Sequence, residues 1–169
     1  VNNRYGVVNW KNEIVIEPTY TSLADAYDGN FIAQIDSNYG VINSHGETVV
    51  PFIFKENFFL SSDTLVPILH NNKAVIYNRL DNSILELPYD DIYPFFNGYA
   101  EVWINNKKGL VDKNGTVFLK PEYDEIKHYK EGPMAVKQGE NWFFLTRDKE
   151  KFLDSTYSYL TQFEDGFAV

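Results

Sequence analysis

Positions recur along this chain at an interval that drifts by no more than one residue. Gly29, Asp63, Gly98, Gly132 and Gly166 are spaced by 34, 35, 34 and 34. A dipeptide slot keeps nearly the same step: Tyr5-Gly6, Tyr39-Gly40, Lys73-Ala74, Lys108-Gly109 and Trp142-Phe143. A near-constant period of this size constrains the fold before any single residue is weighed. It predicts an array of similar units, each too thin to bury its own apolar face, so that neighbours stack. The expected organisation is one repeat domain over 1–169, with units at about 3–36, 37–70, 71–105, 106–139 and 140–169.

The fourth unit is the clearest. Lys108-Gly109-Leu110-Val111-Asp112 and Thr116-Val117-Phe118-Leu119 are β-prone runs separated by Lys113-Asn114-Gly115, which predicts a hairpin closed by a residue at φ > 0. The second unit repeats this with Gly46, and the first places Asn12 there, the next most tolerant residue. The third and fifth units have Asn82 and Glu150 near the place. A proline follows in four units, Pro18, Pro51, Pro88 and Pro121, and Ser155 or Thr156 stands there in the fifth. Proline lacks a ladder donor, so it is expected to end the second strand.

A three-residue beat comes next: Tyr123, Ile126, Tyr129, Gly132, and likewise Tyr89, Ile92, Phe95, Gly98. A step of three fits neither a strand nor an α-helix and predicts a tight turn or short 3₁₀ stretch docked on the sheet. The glycine then permits a reversal into a linking strand, such as Tyr99–Trp103, that leads into the next unit. The second unit keeps the beat poorly, with Phe54, Asn57, Leu60 and Asp63, and is the expected place for an irregular excursion.

These residues resemble the WG-repeat family of bacterial β-repeat proteins, also called WG-containing or KWG repeats. Lys107–Gly115 matches the front of the family's unit, and Lys120-Pro121-Glu122-Tyr123-Asp124-Glu125-Ile126 with Glu131-Gly132 matches its back. The resemblance covers nearly the whole chain and brings no catalytic residue. It implies an all-β array in a bacterial, envelope-associated or secreted setting. The chain departs at the naming dipeptide, where Trp occurs only as Trp142, followed by Phe143. The expected fold is all-β: five three-stranded repeats of about 34 residues in an open or partly closed array. The alternative is a closed five-unit propeller-like ring, which would remove sheet edges. Gly6, Gly40, Gly109, Pro18, Pro51, Pro88, Pro121, Gly29, Gly98, Gly132 and Gly166 are its structural positions.

Composition narrows function by exclusion. The net charge is -9, with 24 acidic against 15 basic residues and no Lys/Arg stripe, which disfavours nucleic acid and anionic membranes. Cysteine is absent, and no apolar run reaches the length of a membrane helix. His45, His70 and His128 fall in separate units without ligand spacing, and the pairs Asp90-Asp91, Asp124-Glu125 and Glu164-Asp165 are expected as solvated filler. No cofactor is expected, and no catalytic or metal residue is assigned. The 13 Phe, 12 Tyr and 3 Trp are expected mainly in the core; Trp10, Tyr99, Trp103 and Trp142 are the candidate binding aromatics if exposed. The expectation is a non-catalytic binding or scaffolding module whose partner is another protein. An envelope-associated glycan-binding module is the alternative. An enzyme with a site outside the repeat consensus, in the second unit, ranks third.

Overall fold

A computed structural model describes residues 3–26, 28–60, 63–127, 132–152 and 156–159. Every regular element among them is a β-strand. The chain forms two compact units, Val1–Pro94 and Phe95–Val169. The first contains β1 (Tyr5–Val8), β2 (Ile14–Tyr20), β3 (Ser22–Asp25), β4 (Asn30–Ile35), β5 (Asn38–Asn43), β6 (Thr48–Phe54), β7 (Leu65–His70), β8 (Lys73–Asn78), β9 (Ile84–Glu86) and β10 (Asp91–Ile92). The second contains β11 (Tyr99–Ile104), β12 (Lys107–Asp112), β13 (Val117–Tyr123), β14 (Glu125–Lys127), β15 (Met134–Gln138) and β16 (Asn141–Leu145).

The strands form small antiparallel sheets in chain order. In the first unit these are β1-β2, β3-β4-β5-β6 and β7-β8-β9. In the second, β11, β12 and β13 pair in sequence, as do β14, β15 and β16. Registers repeat with the sequence. Gln34 lies opposite Tyr39, Leu69 opposite Ala74, Trp103 opposite Lys108 and Lys137 opposite Trp142. The third dipeptide slot is therefore Ala74-Val75, one residue beyond the Lys73-Ala74 that the sequence suggests. An Asn-Asn turn, Asn71-Asn72, follows β7, and Asn105-Asn106 follows β11, all four residues with φ between 51° and 62°. Two left-handed residues give the turn twist that matches flanking strands.

Each hairpin turn is set by the residue that opens it. Asn43 Oδ1 accepts from the N–H groups of His45 at 2.9 Å and Glu47 at 3.0 Å. Asp112 Oδ1 does the same for Asn114 and Thr116, both at 2.8 Å, and Asn9 Oδ1 for Lys11 and Glu13, both at 3.0 Å. A short side-chain acceptor thus satisfies loop donors that face no strand. The anchors Asn9, Asn43, Asn78, Asp112 and Thr146 are spaced by 34, 35, 34 and 34. Asn12, Gly46, Asn82, Gly115 and Lys149 take the positive φ that closes the loop. In the last turn that residue is Lys149, not Glu150. The third turn is one residue longer than the others: Tyr77 pairs with Ile84, whereas Val111 pairs with Val117.

Proline does not stop the second strand in three of the four repeats that carry it; only β9 ends ahead of its proline, Pro88. Pro18, Pro51 and Pro121 lie inside β2, β6 and β13, which run on to Tyr20, Phe54 and Tyr123. The ladder slips there. Val41 pairs with Val50 and Tyr39 with Phe54, so β6 advances four residues while β5 advances two. Pro51 is held in this bulge, and a bulged residue needs no ladder donor. The bulge also explains the glycine. A Cβ on Gly109 would lie 2.5 Å from the Leu119 carbonyl oxygen and 2.7 Å from Pro121 N. Gly6 meets Ile16 O and Pro18 N in the same way. Where Val75 fills the slot, the strand opposite is regular, with Val75 opposite Glu86, and Pro88 lies beyond β9.

The three-residue beat is not a turn. Its middle residues form short strands, β3, β10 and β14; β3 adds a fourth strand to β4-β5-β6, and β14 pairs with β15 as the first strand of its sheet. Tyr123 ends β13, Asp124 crosses, and Ile126 sits in β14 opposite Val136. Tyr123 and Ile126 enter one buried cluster with Leu110, Leu119, Val136 and Phe143. The step of three is a one-residue crossing between two sheets whose facing sides share a core. The excursion in the second repeat is observed: the described residues 55–60 and 63–64 carry no strand, and Phe54, Phe58 and Leu60 are buried against Val66, Ile68 and Tyr77. Gly29, Gly98 and Gly132 take positive φ ahead of the linking strands β4, β11 and β15. Tyr129, Ser155 and Gly166 lie outside the described residues.

Gly109→Ala is expected to lower unfolding free energy by about 1–3 kcal/mol, because backbone rather than a flexible side chain must move. Asp112→Ala is expected to cost about 1 kcal/mol through loss of two turn hydrogen bonds. Urea denaturation of both variants measures these effects.

Candidate binding surface

The four candidate aromatics occupy unlike positions. Trp10 follows the turn anchor Asn9 and is 90% exposed, with Lys11 Nζ 5.3 Å from its ring. Tyr99 begins β11, half-buried, its ring 4.3 Å from that of Phe118. Trp103 lies on the linking strand β11, also half-buried. Trp142 lies on the first hairpin strand β16 and is only 5% exposed, packed with Ala135 and Phe144. A sugar-stacking row needs one slot repeated in successive units. Within the second unit these residues take three different slots, and Trp142 is covered.

Trp103 and Trp142 are bound into clusters with lysine and glutamate. Trp103 Nε1 donates to Glu101 Oε1 at 2.7 Å, and Lys108 Nζ sits 4.6 Å from the Trp103 ring and 3.4 Å from Glu101. Trp142 has Lys127 Nζ at 4.5 Å and Lys137 Nζ at 5.8 Å from its ring, and Lys137 pairs with Glu125 at 3.3 Å. A cation over an indole face is held by the ring's charge distribution and covers the ring's apolar area with its stem. The two cross-strand pairs are the same with residues exchanged: Trp103 opposite Lys108, and Lys137 opposite Trp142.

A third polar cluster fixes a crossing. Asp124 accepts from Lys107 Nζ at 2.5 Å and from the Gly139 N–H at 2.7 Å, tying the start of β12 to the turn between β15 and β16. The Lys107 hydrogen bond, then the Gly139 N–H, hold its carboxyl below the usual carboxylate range. Burial, with Glu122 beside it, pushes the Tyr123 hydroxyl up to about 12. Burial also raises Tyr77 and Tyr89. These shifted groups serve crossings and core rather than converging on a cavity.

The excursion in the second repeat is the expected host of any catalytic pocket. A cavity of about 310 Å³ there is lined by Asp25, Ala26, Ile32, Phe59 and Leu60, mostly apolar with one carboxylate. His70 does not line it; its ring meets Phe54 edge-on at 5.4 Å. No group of His, Asp and Glu suited to a metal occurs among the described residues. His128 and Glu164-Asp165 lie outside them.

Charge divides unevenly, which the whole-chain total conceals. Residues 1–94 hold five Lys and Arg against twelve Asp and Glu, a net -7; residues 95–169 hold ten against twelve, a net -2. Ten of the twelve acids in 1–94 are exposed, among them Glu13, Glu17, Asp25, Asp28 and Asp36. Position-by-position counting would have shown this asymmetry.

A family model described as a WG containing repeat matches the chain four times, at residues 5–39, 39–73, 76–107 and 109–142. No curated protein matches the chain.

Asp124, with a lowered folded pKa, stabilises the fold above its unfolded value of 3.8. That contribution is lost as pH falls through the lower folded value. The carboxyl carbon of Asp124 is expected to titrate below 3.8 by NMR, and Asp124→Asn should flatten the acid limb of the stability curve. A midpoint at or above 3.8 would contradict the Lys107 contact.

Proposed function

The chain belongs to the WG containing repeat family, and on that premise we propose that it is a non-catalytic binding module whose partner is a protein with a basic surface. The observation that carries this is the exposed acidic set of residues 1–94, net -7 with ten exposed carboxylates. Such a surface raises the encounter rate with a basic partner and repels nucleic acid and anionic lipid. The repeat positions supply little chemistry of their own. Glycines relieve bulges, aromatics fill cores, and the lysines nearest Trp103 and Trp142 are held on their rings. Recognition then falls to residues that vary between units. The glycan alternative has Trp10 in its favour, a single exposed indole rather than a row.

Cross-linking mass spectrometry in the source cells tests the proposal. Cross-links to one recurrent protein should fall mainly on residues 3–94. Affinity for that purified protein should drop about tenfold or more when Glu13, Glu17, Asp25 and Asp28 are changed to Gln or Asn, and should weaken with salt. Binding that is indifferent to both salt and these substitutions would defeat the proposal. Glycan-array binding abolished by Trp10→Ala would favour the alternative instead.

A further inference from the structure

Phe58 and Phe59 are sequence neighbours with opposite fates. Phe58 is buried and meets Phe54 edge-on at 5.6 Å, whereas Phe59 is 67% exposed. A phenyl ring left in water forgoes most of the gain of burying it. Phe59 stands at the rim of the cavity of about 310 Å³, with Asp25 as the other exposed member. The remaining lining is apolar and firmly held. Leu60 belongs to the buried core around Phe54 and Tyr77, and Ala26 and Ile32 pack against that core. One wall is regular sheet: Asp25 lies opposite Phe31 and Ala24 opposite Ile32, and the Ala26 N–H donates to the Asn30 carbonyl at 2.9 Å. The chain leaves the charge at this rim unused. Asp25 has no hydrogen bond or ion pair among the described residues. Lys55, the one cation in the described part of the excursion, donates to Ser37 Oγ at 3.2 Å instead.

We propose that this cavity receives an arginine side chain of the basic partner, an inference that rests on the acidic-surface reading above and names its anchor. The chemistry of the lining selects that occupant. The arginine stem covers Ala26, Ile32 and Leu60, and the guanidinium meets the Asp25 carboxylate and the Phe59 ring at the rim. A planar guanidinium can donate two parallel hydrogen bonds to a carboxylate and stack on an aromatic ring, which an ammonium cannot. A purely apolar side chain would leave the carboxylate partly desolvated and unpaired. The volume stands at the lower end of ligand pockets, about 300 Å³, so it suits one side chain rather than a larger ligand. Exposed carboxylates elsewhere on residues 1–94 steer the partner, and the cavity supplies the fixed point of contact.

NMR titration of the full chain with the peptide acetyl-Gly-Arg-Gly-amide tests this. The methyl resonances of Ala26, Ile32 and Leu60 should move together. A citrulline peptide, which keeps the shape and loses the charge, should bind about tenfold or more weakly, and so should the arginine peptide on Asp25→Asn. Phe59→Ala changes no charge and removes an exposed ring, so the fold should persist while the peptide binds about fivefold more weakly. Equal binding of citrulline and arginine peptides overturns the proposal, as do shifts that miss the three cavity residues. The partner found by cross-linking separates this inference from the reading beneath it. Affinity that falls on neutralising the carboxylates but ignores Phe59→Ala leaves the acidic-surface reading standing and defeats the cavity. An arginine peptide that seats in the cavity, when no basic protein is cross-linked, supports the cavity and defeats the wider reading.

Discussion

The contact on which the rest depends is made by the aromatic that closes each return segment, at the strand end in three repeats and three residues beyond β9 in the third. Tyr20, Phe54, Tyr89 and Tyr123 are all buried. A two- or three-stranded sheet of this size cannot offset its chain entropy by itself. The aromatic solves this locally, because it packs into a core shared with the next sheet, reached after one residue from Tyr20 and Tyr123 and after the excursion from Phe54. In the second unit, Tyr123 and Ile126 are separated by two residues yet come from different sheets and fill one core. In the first, Phe54 meets Phe58 and Tyr77 edge-on, at 5.6 Å in each case. Within each compact unit, stacking of neighbouring sheets is built into the covalent sequence at the crossings after Tyr20, Phe54 and Tyr123.

Much of this was legible in the residues. The period, the hairpins, the left-handed residues of the first four turns and the place of the excursion in the second repeat can all be read from spacing and turn chemistry. Three details could not. Proline reads as a stop because its missing donor is visible and the bulge that excuses it is not. The bulge is a property of two strands together, and its only trace on the other strand is a glycine. The beat of three reads as a turn because a change of sheet is invisible to a periodicity count along one chain. The third dipeptide was displaced by one because Lys73-Ala74 looks more like Lys108-Gly109 than Ala74-Val75 does, and only the ladder settles the register.

The surface was less legible. Aromatic type alone cannot say whether an indole faces solvent, and three tryptophans ended in three settings: bare at Trp10, half-covered at Trp103, buried at Trp142. The deciding partners, Lys108 and Lys137, sit directly across the ladder, so strand register had to be known first. The turn anchors Asn9, Asn43, Asn78, Asp112 and Thr146 were within reach. Their spacing follows the period, but the change from Asn to Asp to Thr hides a common role as side-chain acceptor.

The third hairpin's long turn has a consequence for how such a chain tolerates changes of length. Its return segment is one residue shorter than that of the fourth, so the two differences cancel. Ala74 still donates its N–H to the Tyr89 carbonyl at 3.1 Å, as the register of Lys108 opposite Tyr123 would require. The aromatic therefore resets the count. A longer turn is offset by a shorter return between the same two points, and the phase of the following repeat is untouched. A chain built this way can accumulate length errors without accumulating misalignment.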